Sequence, residues 1–303
     1  MSAPIKDDSI YILNDGSSSE SERERLDAQH DICNDIMRNE LLPPHIQAEL
    51  LASSSSRAPK VLDVATGSAA WLRAMAKLLP PDAELVGLDY DPTKFPPPSL
   101  LASNITLREA DMYRPFPGDL VRQFDVVHAR LITFALKAGQ GAELVKNLMT
   151  LLRPGGWIVW SETTVNLASV EPPSPAWFKI QDLYYRFQRA IGAESDVPVG
   201  LVAFIREAGC VDCDDRAYTG SSPLYTGKVT DWIERTHQHS DAFVLQMLKG
   251  IMGFGAVDGM RTQSDVDALY GEFKADFADR DRKMHYVFVR AWGRKPKESY
   301  VNG

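Results

Sequence analysis

The chain has 303 residues, a formal net charge of -8, and hydrophobic residues at 44% of its positions. That length exceeds the usual single domain and is ample for a buried core. The acidic balance, without any basic run or stripe, argues against nucleic acid as a partner. No apolar stretch is long enough to span a bilayer, and the N-terminus lacks the basic and apolar regions of a signal peptide, so a cytoplasmic protein with no membrane partner is expected.

Residues 1–19 are polar and are expected to be a flexible start. Over 20–42 the apolar positions Leu26, Cys33, Ile36, Met37 and Leu41 recur near helical spacing until Pro43-Pro44 ends the run. A serine run at 53–56 follows as a linker, so 20–56 is read as a helical N-terminal cap. Val61-Leu62-Asp63-Val64 then reads as a buried strand, and Ala65-Thr66-Gly67-Ser68-Ala69 as a tight turn opening a helix at Trp71. Leu85-Val86-Gly87-Leu88-Asp89 reads as a second strand ending in an acid. Small residues at 65, 67 and 69 let the backbone approach a ligand, and an acid about twenty residues past such a turn is placed to accept from a ribose diol. This pattern describes a nucleoside site. A dinucleotide site would want G-x-G-x-x-G for its pyrophosphate, whereas this turn has Gly67 as its single glycine. Ala65 and Ala69 fit such a turn cheaply where φ is negative.

Pro96-Pro97-Pro98 makes any helix after the second strand short or distorted. Residues 104–112 read as a third strand ending in Asp111-Met112, and 124–130 as a fourth carrying His128. Leu152-Arg153-Pro154-Gly155-Gly156 reads as a turn leading into a fifth strand that ends at Glu162. Strands alternating with helices in this way predict a parallel sheet built by right-handed crossovers. Beyond it, Pro172-Pro173 and Pro175 lead into an amphipathic helix over 176–191, a helix before Gly209 and a strand near 211–218. Residues 219–282 form an insertion rich in aromatic and Met residues, among them Tyr225, Trp232, Phe243, Met247, Met252 and Phe254. Residues 285–292 alternate like a last strand, and 296–303 form a flexible tail. The Cys210-Val211-Asp212-Cys213 pair has no second pair and no His-x-x-x-His to complete a zinc site, so it and Cys33 are read as small buried hydrophobes, with no metal.

Four motifs occur in order over residues 60–162: the turn at Asp63 to Ala69 with Asp89 after it, the strand at 104–112 with Asp111, the strand at 124–130, and the L-R-P-G-G turn at 152–156 with its strand. Together they resemble the class I S-adenosylmethionine-dependent methyltransferases, and Ser21-Glu22-Arg23-Glu24-Arg25-Leu26-Asp27-Ala28-Gln29-His30 upstream of D-V-A-T-G-x-x-x-W is similar to the LaeA-like and secondary-metabolite methyltransferases of filamentous fungi. The resemblance implies an α/β, Rossmann-like seven-stranded sheet with helices on both faces, completed by an antiparallel strand. It implies a core over 57–295, with lid or substrate-binding insertions around 165–208 and 219–282.

S-adenosylmethionine is the cofactor that the resemblance implies. Asp63 would reach its methionine amine or else fix the turn, and Ala65 and Gly67 would give it backbone room. Asp89, with Tyr90 beside it, would take the ribose hydroxyls, and Asp111, with Met112, the adenine. His30 on the N-terminal helix and His128 at the fourth strand's end are further contact candidates. A methyl on a sulfonium is already activated, so transfer needs an aligned acceptor, exclusion of water and sometimes a base. The candidate bases are His128, His237 and His239; the last two stand at a spacing that does not suit joint metal ligation on a helix. The aromatic insertion suits a small, largely apolar acceptor, such as a secondary metabolite or its precursor, or simply packs onto the sheet. The acceptor atom and the oligomeric state stay open. The alternatives are a regulator acting through protein partners, a non-methylating cyclase and, against the turn's sequence, a nicotinamide-dependent oxidoreductase.

Overall fold

The computed structural model describes residues 18–53, 57–195, 197–219, 229–279 and 281–297. Lys60–Val64 (β1), Glu84–Asp89 (β2) and Phe124–Arg130 (β4) are buried along nearly their whole length, as strands covered on both faces must be. They pair in parallel with Ile105–Glu109 (β3) and Leu152–Glu162 (β5) in the order β3-β2-β1-β4-β5. Val287–Arg294 (β9) joins β5 antiparallel, and Val211–Thr219 (β7) completes a seven-stranded sheet at the edge. The strand order reverses between β1 and β4, where Asp63 lies in register with His128. Crevices beyond the C-terminal ends of strands at such a reversal are where open α/β sheets bind ligands.

Side chains alternate between the two faces of a strand, and neighbouring residues of β1 therefore enter different cores. Leu62 and Val64 pack with Leu144 and Leu148 of α4 (Gly141–Leu151) and Leu201 and Ile205 of α6 (Val197–Glu207). Val61 packs on the other face with Trp71, Leu72 and Met75 of α3 (Ala70–Leu78) and Ile46 and Leu50 of α2 (Pro44–Ser53). The helical run expected to continue to Pro43-Pro44 instead ends at Ile36, with Arg38 and Asn39 turning the chain at φ of 60° and 59°, and Pro44 begins α2, because a proline in the first helical turn has no hydrogen bond to lose. α6, expected within an insertion, lies against β9 and α4 as one of the sheet's own helices.

A separate apolar core joins α5 (Pro175–Ile191), α7 (Val229–Phe254) and α8 (Gln263–Asp276) through Trp177, Phe187, Met247, Ile251 and Phe273. The single last strand expected over 285–292 is instead two. Lys283–His285 (β8) pairs with Ser169–Glu171 (β6) in a two-stranded sheet, the chain crosses at Tyr286, and β9 enters the main sheet. The tyrosine hydroxyl meets Ser240 of α7, which fixes the crossing. The three-residue segments after β2 are 3-10 turns, as the prolines there require. Among the described residues no helix is long and apolar enough to cross a membrane. Tyr225, the side chain of Trp232, the linker at 54–56 and most of both termini lie outside the described residues.

Candidate active site at the sheet's switch point

The turn after β1 is built from three left-handed residues: Ala65, Gly67 and Ala69 have φ of 56°, 55° and 57°. The expectation of negative φ at the two alanines is therefore corrected, and each carries the Cβ-to-carbonyl crowding that costs about 1–2 kcal/mol. Local hydrogen bonds hold the strained path. The Thr66 and Ala69 amides donate to the Leu88 and Thr66 carbonyls, both at 2.9 Å, and the Thr66 hydroxyl donates to Asp63 Oδ2 at 2.7 Å. The Gly67 amide donates to Asp89 Oδ2 at 2.8 Å. A Cβ at Gly67 would lie 3.0 Å from Leu26 Cδ1 of α1 (Ser19–Ile36), so glycine serves both the φ and the approach of that helix.

Asp89 ends β2 buried, with Oδ1 accepting from the Asp91 amide at 2.9 Å. Burial raises its pKa, against the nearby Lys94 and these two amides. Each oxygen already takes one donor and keeps a lone pair for another, which suits a diol. Asp111 is held by the Tyr113 amide at 2.9 Å, and the loop around it by Asn147, whose Nδ2 donates to the Met112 and Arg114 carbonyls at 2.8 and 2.9 Å. The Tyr113 hydroxyl donates to the Ala135 carbonyl at 2.8 Å, tying this loop to the segment after β4.

The four candidate histidines separate into different roles. His128 is fully buried, lies parallel to Trp71 with ring centroids 3.8 Å apart, and sets Nδ1 2.7 Å from Asp63 Oδ1. Burial lowers its pKa more than Asp63 raises it, so the ring is neutral, with Nδ1–H donating and Nε2 left as a buried acceptor without a partner among the described residues. Asp63 therefore binds Thr66 and His128, which makes it a brace for the turn. His30 sits behind the cavity wall, its Nδ1 2.8 Å from Arg130 Nη2 and its Nε2 2.7 Å from the Asn34 amide group. Burial, then Arg130, brings its pKa down to about 2. His237 is engaged elsewhere, with Nε2 2.7 Å from the Arg282 carbonyl. His239 faces the cavity, near-parallel to Phe243, with Nδ1 buried and unpartnered among the described residues, and burial lowers its pKa to about 4.

A cavity of about 2030 Å³ connects these groups. Asp63, Ala65, Gly67, Asp89, Tyr90, Asp111, Met112, His128 and His239 line it, whereas His30 and His237 do not. Small-molecule sites usually measure roughly 300–1,000 Å³, so this one has room for a cofactor and an acceptor together. Its walls include residues that local sequence did not single out: Arg130, Phe134, Thr163 and Trp177. α1 closes one side, where Asp27 takes the Ser68 hydroxyl and Arg73, both at 2.6 Å. Glu162 was also missed. Its fully buried carboxyl accepts from the Ile132 amide and Trp160 Nε1, both at 2.7 Å, and burial pushes its pKa up to about 8. These groups fit S-adenosylmethionine: Asp89 for the diol, Asp111 for the adenine edge, and the orphaned His128 Nε2 for a donor at the amino-acid end.

A family model described as a methyltransferase domain matches residues 61–156. N-methyltransferase tcpN of Claviceps purpurea (strain 20.1) is 32% identical over 289 residues, covering 93% of this chain and 98% of that protein. Methyltransferase grgD of Penicillium sp is 32% identical over 209 residues, covering 67% of this chain and 69% of its own. N-methyltransferase verN of Clonostachys rogersoniana is 32% identical over 154 residues, covering 50% of this chain and 52% of its own. With near end-to-end similarity to one of these relatives, and with the cofactor motifs gathered around a single switch-point cavity, the chain belongs to the class I S-adenosylmethionine-dependent methyltransferases.

Proposed function

We propose that the methyl acceptor is a nitrogen atom of a small, largely apolar molecule, seated between the sheet and the α5–α7 core. The observation that carries this reading is the cavity's continuation past His128 to Phe134, Trp177, His239, Phe243 and Tyr286. Two of the relatives named above are N-methyltransferases, which supports nitrogen as the acceptor atom. The cofactor supplies a methyl group already activated by a positive sulfur. What remains for the chain is to hold, align and keep dry.

Asp89 and Asp111 anchor one end of the cavity, and the aromatic wall excludes water at the other. His239, neutral with its pKa near 4, is too weak a base to store a proton at neutral pH, and acts instead by accepting an N–H so that the acceptor's lone pair is aimed. His128 is committed to Asp63 and contributes its Nε2 as an acceptor toward the cofactor. A cytoplasmic location completes the reading, supported by Cys33, Cys210 and Cys213 all being free thiols. The test is incubation with trideuteromethyl-labelled cofactor and a small-molecule extract of the source organism, followed by mass spectrometry and NMR. A product carrying an N-linked labelled methyl is expected. Transfer to oxygen or carbon, or no labelled product, would reject the proposal.

A further inference from the structure

Arg130 is the last residue of β4, one step beyond Ala129, which pairs with Val64, so it stands level with the left-handed Ala65. Its side chain lines the cavity, and its Nη2 is spoken for by His30 Nδ1 at 2.8 Å. Nη1 is buried and has no hydrogen-bond partner among the described residues. Among the described residues no carboxylate pairs with the guanidinium either. Glu162 lies within its electrostatic reach and is kept largely protonated at neutral pH by burial, while Arg290 and Lys77 add further positive charge around this region. A half-buried guanidinium in such a setting is costly unless something anionic joins it.

His30 explains how the guanidinium is aimed. Nδ1 accepts from Arg130, so the neutral ring carries its hydrogen on Nε2, and that hydrogen must be donated to Asn34. Amide oxygen and nitrogen are interchangeable by a flip, and turning Asn34 places its otherwise unpartnered Oδ1 2.7 Å from Nε2. The series Asn34, His30, Arg130 then has a donor and an acceptor at each step. A histidine kept neutral by burial and by Arg130 leaves the guanidinium's charge directed at the cavity.

We propose that Arg130, positioned by neutral His30, is a carboxylate-binding residue of the cavity. Its ligand is the carboxylate at the amino-acid end of the cofactor or one on the acceptor; the planar fork of a guanidinium matches either. This rests on the reading that one cavity holds both molecules. The test is calorimetry on the full-length wild type, Arg130→Gln and His30→Phe. The probes are S-adenosylhomocysteine, 5′-methylthioadenosine, which lacks the amino-acid end, and phenylacetate added to protein saturated with S-adenosylhomocysteine.

If the carboxylate is the cofactor's, Arg130→Gln weakens S-adenosylhomocysteine by roughly 10- to 100-fold and leaves 5′-methylthioadenosine unchanged. If it is the acceptor's, both nucleosides bind the variant as before and saturable phenylacetate binding is lost. In either case His30→Phe reproduces the loss to a smaller degree, and Arg130→Lys restores part of it. Equal weakening of both nucleosides, or no dependence of any probe on Arg130, overturns the proposal. A wild type that binds neither nucleoside refutes the shared-cavity reading itself.

Discussion

Ala65 and Ala69 hold a backbone that glycine would hold more easily, and the position of each methyl decides what glycine would change. Ala69 is fully buried against the α3 side of the sheet, whereas Ala65 is only partly buried. Ala65→Gly relieves about 1–2 kcal/mol of left-handed crowding and loses about 0.4–1 kcal/mol through a freer unfolded chain. Urea denaturation of that variant should show stability unchanged or raised by up to about 1.6 kcal/mol. A clear loss of stability would mean the turn is not strained at residue 65. The positive φ at residue 65 runs against the negative value expected from the sequence. Residue identity alone did not reveal it, since alanine reports nothing about the sign of its own φ.

Glu162 sets a pH dependence whose sign follows from burial. Its pKa is about 8 in the folded chain against an ordinary 4.5, with Arg130, Trp160 and the Ile132 and Thr133 amides facing it and only partly opposing the shift. Below pH 4.5 the group is neutral in both states. As pH rises toward 8 the unfolded chain ionises first and the folded state loses that advantage, by at most about 1.4 kcal/mol per pH unit. Glu162→Gln keeps an oxygen for both donors and cannot ionise. Its melting temperature should exceed that of the wild type by a margin that grows between pH 5.5 and 8. A margin constant with pH would show that Glu162 is ionised in the fold.

At the scale of elements, α1 divides into two halves with different work. Its first half faces the turn through Leu26 and Asp27 and meets α7 through Glu22, which Gln246 approaches at 3.5 Å. Its second half is core: Ile32, Cys33 and Ile36 pack with Tyr218 of β7 and Phe288 of β9. Removing the helix should therefore unfold more than a lid, while ligand binding should act on the first half. Hydrogen exchange with saturating S-adenosylhomocysteine is expected to slow strongly over 20–30 and over 239–254 of α7, with little change over 31–36. Uniform slowing along all of α1, or none, would contradict this division. The helical spacing was legible as far as Ile36, but its division was not, because the first half's partners in the turn lie about forty residues on and those in α7, β7 and β9 roughly two hundred.

For the molecule as a whole, the parallel strands were legible because each is a short apolar run bounded by turn residues, and their ends carried the acids. The split of the last strand was not. The alternation of 285–292 continues through Tyr286, and what breaks it is pairing of β8 with β6, a segment more than a hundred residues away. The same limit explains why Arg130 and Glu162 escaped notice while Asp89 and Asp111 did not. The two aspartates sit at recognisable motif positions, whereas the first two owe their roles to His30, Ile132 and Trp160, which approach them only in the folded chain.

On the proposed reading, the cavity at the ends of β1, β2 and β4 holds the methyl donor, with Asp89 as the anchor of its ribose. Calorimetric titration of S-adenosylhomocysteine into the wild type and Asp89→Ala tests it most directly. Expected are one site per chain in the wild type, no saturable heat with nicotinamide dinucleotides, and affinity weakened by about 1–3 kcal/mol in a variant that still melts cooperatively. Undiminished affinity in a folded Asp89→Ala, or binding of the dinucleotide in place of S-adenosylhomocysteine, would contradict it.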